Sequence, residues 1–398
     1  MFEALPEPVR ALLDVLARAG HEAVLVGGCV RDQLRGAAVH DWDVATSAAP
    51  AELLALFPRA VPIGLRFGTV MVPTPAGPVD VTQYRGKSLA DDLARRDFTL
   101  DAIAWDPLRR VAIDPHGGSA DLAARRLRAV GHAEDRLAED PLRALRAARI
   151  AAELGLEIDA GLEAALPAAA DALGGVAAER IGGELLRLLA CARPGAGLAL
   201  LRRTGLEAVL VPQAREDASR VIESLEPDPA ALRLAAWLRG SAAVSVLARW
   251  RVPRARRLEV ETLLALHPID ETAGTTDASV RRLRRRAGAN ETLERAMALR
   301  EAECAAGSVA DPAHVRARLA ALRDALARTH AQAVARSELA LSGQEAMECL
   351  GLAPGPEVGA ALQYLLERVL DDPSQNTPER LRAQLLAWPA RRRGTTSG

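Results

Sequence analysis

The spacing of apolar residues changes its period several times in the first third of the chain and then settles. Residues 8–19 carry a helical period that stops at Gly20, and residues 22–26 form a short unbroken apolar run of the kind that makes a buried strand. Gly27-Gly28 then punctuate the chain, a helical pattern begins at Val30 and runs to Leu34, and Val39 to Ala45 return to a strand. Ala49 to Phe57 read as a helix, and Thr69–Val72 and Val79–Thr82 as strands around a Pro/Gly turn at Pro73 to Pro78. Ala102–Trp105 and Arg110–Ile113 read as a hairpin. After Glu134 helical periods run almost to the C-terminus, broken at Gly174-Gly175, Pro194-Gly195, Pro212, Pro227 to Pro229, Pro253, Pro268 and Pro354 to Pro356, with no strong strand. The expected fold class is therefore α+β: a mixed α and β head over residues 1–133, followed by an all-helical remainder.

Composition sharpens this picture. In 398 residues, 49% are hydrophobic but only 3% aromatic. Ala, Leu and Arg dominate, which favours helix. The net charge of −1 gives no overall nucleic-acid signature, although a local basic stripe can bind phosphates within a neutral chain. Lys87 is the only lysine, so almost all the cations are arginine forks, which suit phosphates and base edges. The cysteines at 29, 191, 304 and 349 are far apart and form no C-x-x-C pair, which argues against zinc and redox chemistry. There is no signal-peptide pattern and no uncharged run long enough to cross a bilayer, so a reducing cytoplasm is the expected setting and no membrane partner is expected.

The chemistry concentrates in Leu25-Val-Gly-Gly-Cys-Val-Arg-Asp-Gln-Leu-Arg-Gly36 and the following Asp41-Trp-Asp43. Residues i and i+2 of a strand share a face, so Asp41 and Asp43 are expected to converge. Two such carboxylates repel unless a cation sits between them, and hard oxygen ligands select magnesium. Gly27 and Gly28 can bring backbone amides close to a triphosphate where the turn feeds a helix, and Arg31 lies one turn further on. A lone D-x-D or a lone Gly-Gly would be an ordinary turn. The ordered combination is far more specific, and it resembles the signature of the class II tRNA nucleotidyltransferase and bacterial poly(A) polymerase family, within the polymerase-β-like nucleotidyltransferase superfamily.

The resemblance continues through more than half of the chain. Arg95-Arg-Asp-Phe-Thr99 is similar to the family's second motif, which implies that Arg96 contacts the triphosphate or ribose; where that motif continues with Asn-Ala, this chain has Asp101-Ala102. Asp114 to Leu122 resembles the hinge motif, Glu139-Asp-Pro-Leu-Arg-Ala-Leu-Arg-Ala-Ala-Arg149 the fourth motif, and Glu179 to Glu184 the neck motif. The implied division is a catalytic head (1–133), a helical neck with base recognition (134–205), a helical body (206–300) and a helical, tRNA-binding tail (301–398).

In the fourth motif Asp140 and Arg143 are three apart, a spacing that places both on one face of a helix. A carboxylate accepting from an exocyclic amine beside a guanidinium donating to the ring suits cytosine and adenine and disfavours uracil and guanine. The family resemblance assigns this template role to Asp140 and Arg143. Arg146 and Arg149 continue the stripe as phosphate or pocket ligands. Asp80, on a later strand, is a third acidic group for the metals. The implied reaction is attack of an RNA 3′-hydroxyl on the α-phosphate of a nucleoside triphosphate, with Mg2+ as the cofactor and pyrophosphate leaving. Between Tyr84-Arg85 and Arg95-Arg96 only Gly86 to Ala94 intervene, whereas relatives that build the whole CCA end carry a much longer segment there. The expectation is a CC-adding enzyme using CTP, acting on the acceptor arm and 3′ end of tRNA, with adenosine left to a separate A-adding enzyme. The alternatives are a complete CCA-adding enzyme using CTP and ATP, a poly(A) polymerase, and a catalytically silent RNA-binding protein. Arginine clusters at 249–257 and 281–286 support tRNA binding by the helical part, while Arg391-Arg-Arg393 reads as a frayed tail.

Overall fold

In the computed structural model of the chain, the described residues are 5–64, 68–226, 231–274, 276–330, 332 and 335–388. Phe67, the break at Pro227 to Pro229 and the tail arginines 391–393 lie outside them. The chain divides into two compact units, Met1–Pro212 and Gln213–Gly398.

Unit 1 opens with α1 (Glu7–Arg18), whose buried Val9, Leu12, Leu13 and Leu16 recur at helical spacing. It is followed by β1 (Ala23–Val26), α2 (Gly28–Leu34), β2 (Trp42–Thr46), α3 (Pro50–Leu56), β3 (Val61–Gly64), β4 (Thr69–Thr74) and β5 (Gly77–Gln83). Next come α4 (Leu89–Ala94), a 3-10 turn at Thr99–Asp101, β6 (Ala104–Asp106), β7 (Val111–Ile113) and α5 (Gly118–Ala123). β1 to β7 form one sheet in the order β3-β4-β5-β2-β1-β6-β7. Every pairing is antiparallel except β2 with β5, which run parallel. One face of the sheet buries Leu25, Trp42, Val44, Val79 and Val81 with α1 and α3. The other buries Val24, Val26, Ala45, Tyr84 and Leu93. This two-sided burial explains the unbroken apolar run at β1.

The mixed head is therefore as the patterns predict, but α4, α5 and the 3-10 turn at Thr99–Asp101 were not read from the sequence, and two strands differ as well. β3 was not anticipated: it is an edge strand whose Val61 and Ile63 are exposed, so it leaves no alternation to read. Asp41 was expected inside a strand, but β2 starts at Trp42, and Asp41 occupies the exposed bend before it.

The neck helices complete the unit: α6 (Ala133–Glu139), α7 (Leu142–Leu154), α8 (Ala160–Ala165), α9 (Ala169–Ala172), α10 (Ala178–Ala190), α11 (Pro194–Arg203) and α12 (Leu206–Leu210). The expectation of no strand beyond 134 needs one correction. β8 (Arg126–Leu127) pairs in parallel with β9 (Glu157–Ile158), a ladder too short to leave a sequence pattern.

In unit 2 all the described elements are helices, from Ala218–Glu223 to Pro378–Leu386. A buried ionic cluster ties several of them together: Arg239 pairs with Asp217 and Glu303, Arg300 with Asp270 and Glu303, and His267 lies 3.0 Å from Glu303. No helix of the described residues is long and apolar enough to cross a membrane. The arginine cluster 281–286, expected to hold phosphates, is largely structural. Arg281 is buried and donates to the Leu370 and Asp371 carbonyls, Arg282 and Arg285 pair with Glu367, and Arg284 donates to the Thr329 and His330 carbonyls. The cluster satisfies carbonyls and carboxylates from segments 45 to 90 residues away in sequence, which no local pattern could reveal.

Candidate active site

The site is built outward from the only parallel pairing of the sheet. In its register Asp43 lies directly opposite Asp80. Because their neighbours Trp42, Val44, Val79 and Val81 all enter one core, strand alternation turns both carboxylates to the other face. Like charges opposed across strands are destabilising. Burial pushes the Asp43 carboxyl up to about 6; Arg96 offsets this in part, and Asp80, Asp101 and Asp41 add to it. Burial and Asp41 likewise raise Asp80.

Gly27, which follows β1, has φ +71° and ψ −135°, a conformation L side chains rarely adopt. A Cβ there would come 3.2 Å from Arg96 Nη1 and 3.7 Å from Asp43 Oδ2, so the glycine lets a basic and an acidic group close over the turn. Behind it the buried Cys29 thiol donates to the Val26 and Asp43 carbonyls, and burial pushes its pKa up to about 12, which keeps it an inert strut.

Arg96 is held by Asp92, a buried carboxylate 3.0 Å away, and donates to the Asp101 carbonyl. Arg31 curls over Gly28 and is held on two sides: Nε and Nη2 donate to Asp32, and Nη1 donates to Asp101 Oδ1 at 2.7 Å. Burial alone would lower the Arg31 pKa, but Asp101 and Asp32 outweigh it and raise it.

From the neck, Arg146 lies 2.7 Å from Asp97, Arg149 is 2.7 Å from Glu184 and 2.8 Å from Glu153, and Arg187 reaches in from α10. With Gly27, Gly28, Arg31, Asp41, Asp43 and Arg96, these three arginines line a cavity of about 870 Å3. Its size suits a nucleotide. Among the described residues no three His, Cys, Asp or Glu side chains form a ready-made metal cage. Asp41 and Asp43 still fit magnesium. The ion takes few protein carboxylates and fills its remaining positions with water and phosphate, and it would relieve the strained ionisation at Asp43.

Comparison with known proteins agrees with this architecture. The poly(A) polymerase head domain profile matches residues 23–128. The "Probable RNA and SrmB- binding site of polymerase A" profile matches residues 155–217, and that of tRNA nucleotidyltransferase domain 2 matches residues 229–385. The crystal structure of the Bacillus stearothermophilus CCA-adding enzyme in complex with CTP superposes with a TM-score of 0.76 at 31% identity, covering 96% of this chain and 98% of that one. The chain belongs to the CCA-adding tRNA nucleotidyltransferase family.

Other members are similar over shorter stretches. A CC-adding tRNA nucleotidyltransferase of Shouchella clausii is 49% identical over 144 residues, 36% of this chain and 38% of that protein. A CCA-adding enzyme of Lactiplantibacillus plantarum is 40% identical over 189 residues, 44% of this chain and 46% of that protein. Each match thus spans less than half of the curated relative.

Two of the family-motif residues are not brought together. Asp140 and Arg143 were expected on one helix face, but Asp140 has extended backbone (φ −147°, ψ 99°) at the break between α6 and α7. The proline at 141 disfavours helical backbone at the residue before it. Asp140 accepts from the Leu142 amide and pairs with Arg180 at 2.7 Å. Arg143 turns away: it is buried, 2.6 Å from Asp97 and 2.9 Å from Glu139, and donates to the Arg95 and Arg136 carbonyls. It lines a second cavity of about 900 Å3 with Gln83, Tyr84, Arg85, Arg95 and Arg136. The stripe divides because three residues advance only about 300° around a helix, so each arginine is rotated from the last.

Sequence reasoning missed Asp92 and Glu184 as holders of Arg96 and Arg149, the bridging role of Asp97 between Arg143 and Arg146, and Arg187 as a cavity residue. Asp97 and Glu184 lay inside motifs already singled out. Asp92 and Arg187 carry no signal beyond a charge on a helix.

Proposed function

We propose that the protein is a tRNA nucleotidyltransferase of the CC-adding type, extending the acceptor 3′ end from CTP without a nucleic-acid template. The observation that carries the CC reading is the segment between Arg85 and Arg95. It is a short capped element rather than a long loop: Ser88 caps α4 by accepting from the Asp91 amide, Asp91 accepts from the Lys87 amide, and Asp92 from the Arg85 amide. Such a segment gives the pocket little leverage to change shape between cytidine and adenosine. The similarity to the CC-adding protein of Shouchella clausii points the same way. The alternative is complete CCA addition with CTP and ATP, favoured by the name of the Lactiplantibacillus plantarum relative.

In this mechanism Asp41 and Asp43 hold magnesium, with Asp80 beside them. A pair of bound magnesium ions would lower the pKa of the attacking hydroxyl and offset charge on the triphosphate. The RNA 3′-oxygen forms a bond to the α-phosphorus as the bond to the pyrophosphate oxygen breaks; the hydroxyl proton passes to solvent and pyrophosphate leaves. Gly27 and Gly28 leave room for the phosphates, and Arg31, Arg96, Arg146 and Arg149 orient them. We assign base selection to Asp140 and Arg143, which requires Arg143 to exchange Asp97 and Glu139 for the base and Asp140 to exchange Arg180 when the nucleotide binds. Asp140 is held by Arg180, whose side chain is half exposed, and such a pair exchanges readily. In the division we favour, residues 1–133 are the catalytic head, 134–205 the base-reading neck, and 206–300 and 301–398 the body and tail that hold tRNA. The setting we assign is the cytoplasm, with adenosine supplied by a second, A-adding enzyme.

The test is incubation of tRNA lacking its CCA end with CTP and ATP together. Products two nucleotides longer are expected; products three longer and ending in adenosine would replace the CC reading with full CCA addition. ATP-only extension of unstructured RNA would point to a poly(A) polymerase, and no metal-dependent extension of any RNA would remove the catalytic reading.

A further inference from the structure

The larger charge pattern of the first cavity is unusual for a site meant to hold a polyanion. Its lining contains five arginines and five carboxylates, the latter Asp32, Asp41, Asp43, Asp101 and Glu153. Each of the five arginines already faces a carboxylate: Arg31 faces Asp32 and Asp101, Arg96 faces Asp92, Arg146 faces Asp97, and Arg149 and Arg187 face Glu184. A triphosphate without a counter-ion therefore meets no surplus of positive charge and must compete with carboxylates for every arginine.

Asp101 stands out among these carboxylates. Asp32 shares its charge between Arg31 and Arg35. Asp101 has one arginine in ion-pair contact: its Oδ1 takes Arg31 Nη1 at 2.7 Å, Arg149 feels its charge only from farther off, and among the described residues no donor is in hydrogen-bond contact with its Oδ2. Its backbone is pinned, because its carbonyl accepts from Arg96 and its amide donates to the Phe98 carbonyl, closing the 3-10 turn at Thr99–Asp101. The carboxylate is thus fixed in the cavity wall with one oxygen unmatched, beside the guanidinium nearest Gly28.

We propose that Asp101 is a specificity-determining residue that makes the cavity select metal-bound over metal-free nucleoside triphosphate. The inference rests on the nucleotide-binding reading of the cavity. Metal-free triphosphate is repelled by the unmatched oxygen and cannot take Arg31 from it. A triphosphate that arrives with its cation brings the positive charge the wall lacks, and Arg31, held in orientation by Asp32 and Asp101, still has N–H groups to offer a phosphate oxygen. A fixed negative charge a few ångströms from a phosphate, in a partly buried cavity, changes affinity by about tenfold or more.

The experiment is calorimetric titration of the full chain with CTP, once with excess EDTA and once with Mg2+, for the wild type, Asp101→Asn and Asp32→Asn. Asparagine keeps the shape and an oxygen acceptor for Arg31 but removes the charge. Asp101→Asn is expected to bind metal-free CTP at least tenfold tighter than the wild type, with affinity in Mg2+ changed less than threefold and an unchanged melting curve. Asp32→Asn is expected to shift the metal-free affinity less than threefold. An unchanged or weaker metal-free affinity in Asp101→Asn overturns the proposal, as does an equal gain in Asp32→Asn, which would mean that only the total charge matters. If Asp101→Asn melts at lower temperature, Asp101→Ser is read by the same criteria. If the wild type binds CTP under neither condition, the nucleotide reading itself fails. The same series with inorganic tripolyphosphate then decides Asp101 alone, a tenfold gain in EDTA supporting its role and no gain overturning it.

Discussion

Asp43 is where the proposed function and the stability of the fold oppose each other most directly. Its carboxyl is raised from 3.8 to about 6 by burial and by the surrounding carboxylates. The folded chain therefore binds a proton there more readily than the unfolded chain does. This contribution to stability is fully present below about pH 3.8, declines as pH rises, and is gone above about pH 6. At neutral pH the metal-free protein carries the ionised group at a cost on the order of 1–3 kcal/mol. Asp43→Asn should then abolish nucleotide addition while raising the melting temperature in EDTA at pH 7.5. A melting temperature equal to or below that of the wild type would show that the carboxylate is not strained. Magnesium binding by the metal-free protein should also weaken as pH drops through about 6, because a protonated Asp43 cannot ligate a metal; titration of the chain with Mg2+ at pH 7.5 and at pH 5 checks this, and equal affinities would remove Asp43 from the ligand set.

At the scale of elements, the hinge motif turns out to be a clamp on the 3-10 turn that carries Asp101. A Cβ on Gly118 would lie 2.1 Å from the Thr99 carbonyl oxygen, so only glycine lets α5 approach that turn. The fully buried Asp121 accepts from the Thr99 hydroxyl at 2.7 Å and from Arg126 and Arg128. Burial alone would raise its pKa, but these donors outweigh it and hold the carboxyl below its usual value. Asp121→Ala leaves a buried hydroxyl and two guanidinium groups without their acceptor and should destabilise the protein by about 2–4 kcal/mol. Denaturant unfolding measures this directly, and a loss under 1 kcal/mol would reduce the motif to an ordinary loop. The same element shows what motif reading can and cannot do. The residues from Asp114 to Leu122 stood out in the sequence, but their grip on Thr99 depends on a contact across some twenty positions that spacing does not encode.

At the scale of the whole chain, unit 2 hangs on a buried network of charges. His267 sits beside Glu303, yet burial, reinforced by Arg239 and Arg300, lowers its pKa from 6.5 to about 4. The unfolded chain then binds the proton more readily. The stability from a neutral His267 is fully present above about pH 6.5 and is lost as pH falls toward 4. Replacement by glutamine, which can still donate to Glu303, should flatten the decline in melting temperature between pH 6.5 and 4.5. Parallel curves for the two proteins would remove His267 from the account.

What the sequence determined by itself was local: most strands and helices of the head, the glycine turn at residues 27 and 28, and the family those motifs resemble. Each depends on periodicity or on the backbone freedom of one or two residues, and both are properties of short stretches. The tertiary structure decided which charges meet. It set Asp80 opposite Asp43 through a parallel pairing, turned Arg143 toward Asp97 and away from Asp140, and used the 281–286 arginines to bind carbonyls. It also left Asp101 with a single arginine in ion-pair contact. These outcomes follow from which partner desolvates and matches each charge best, and that competition is settled between segments distant in sequence, where no pattern along the chain can register it.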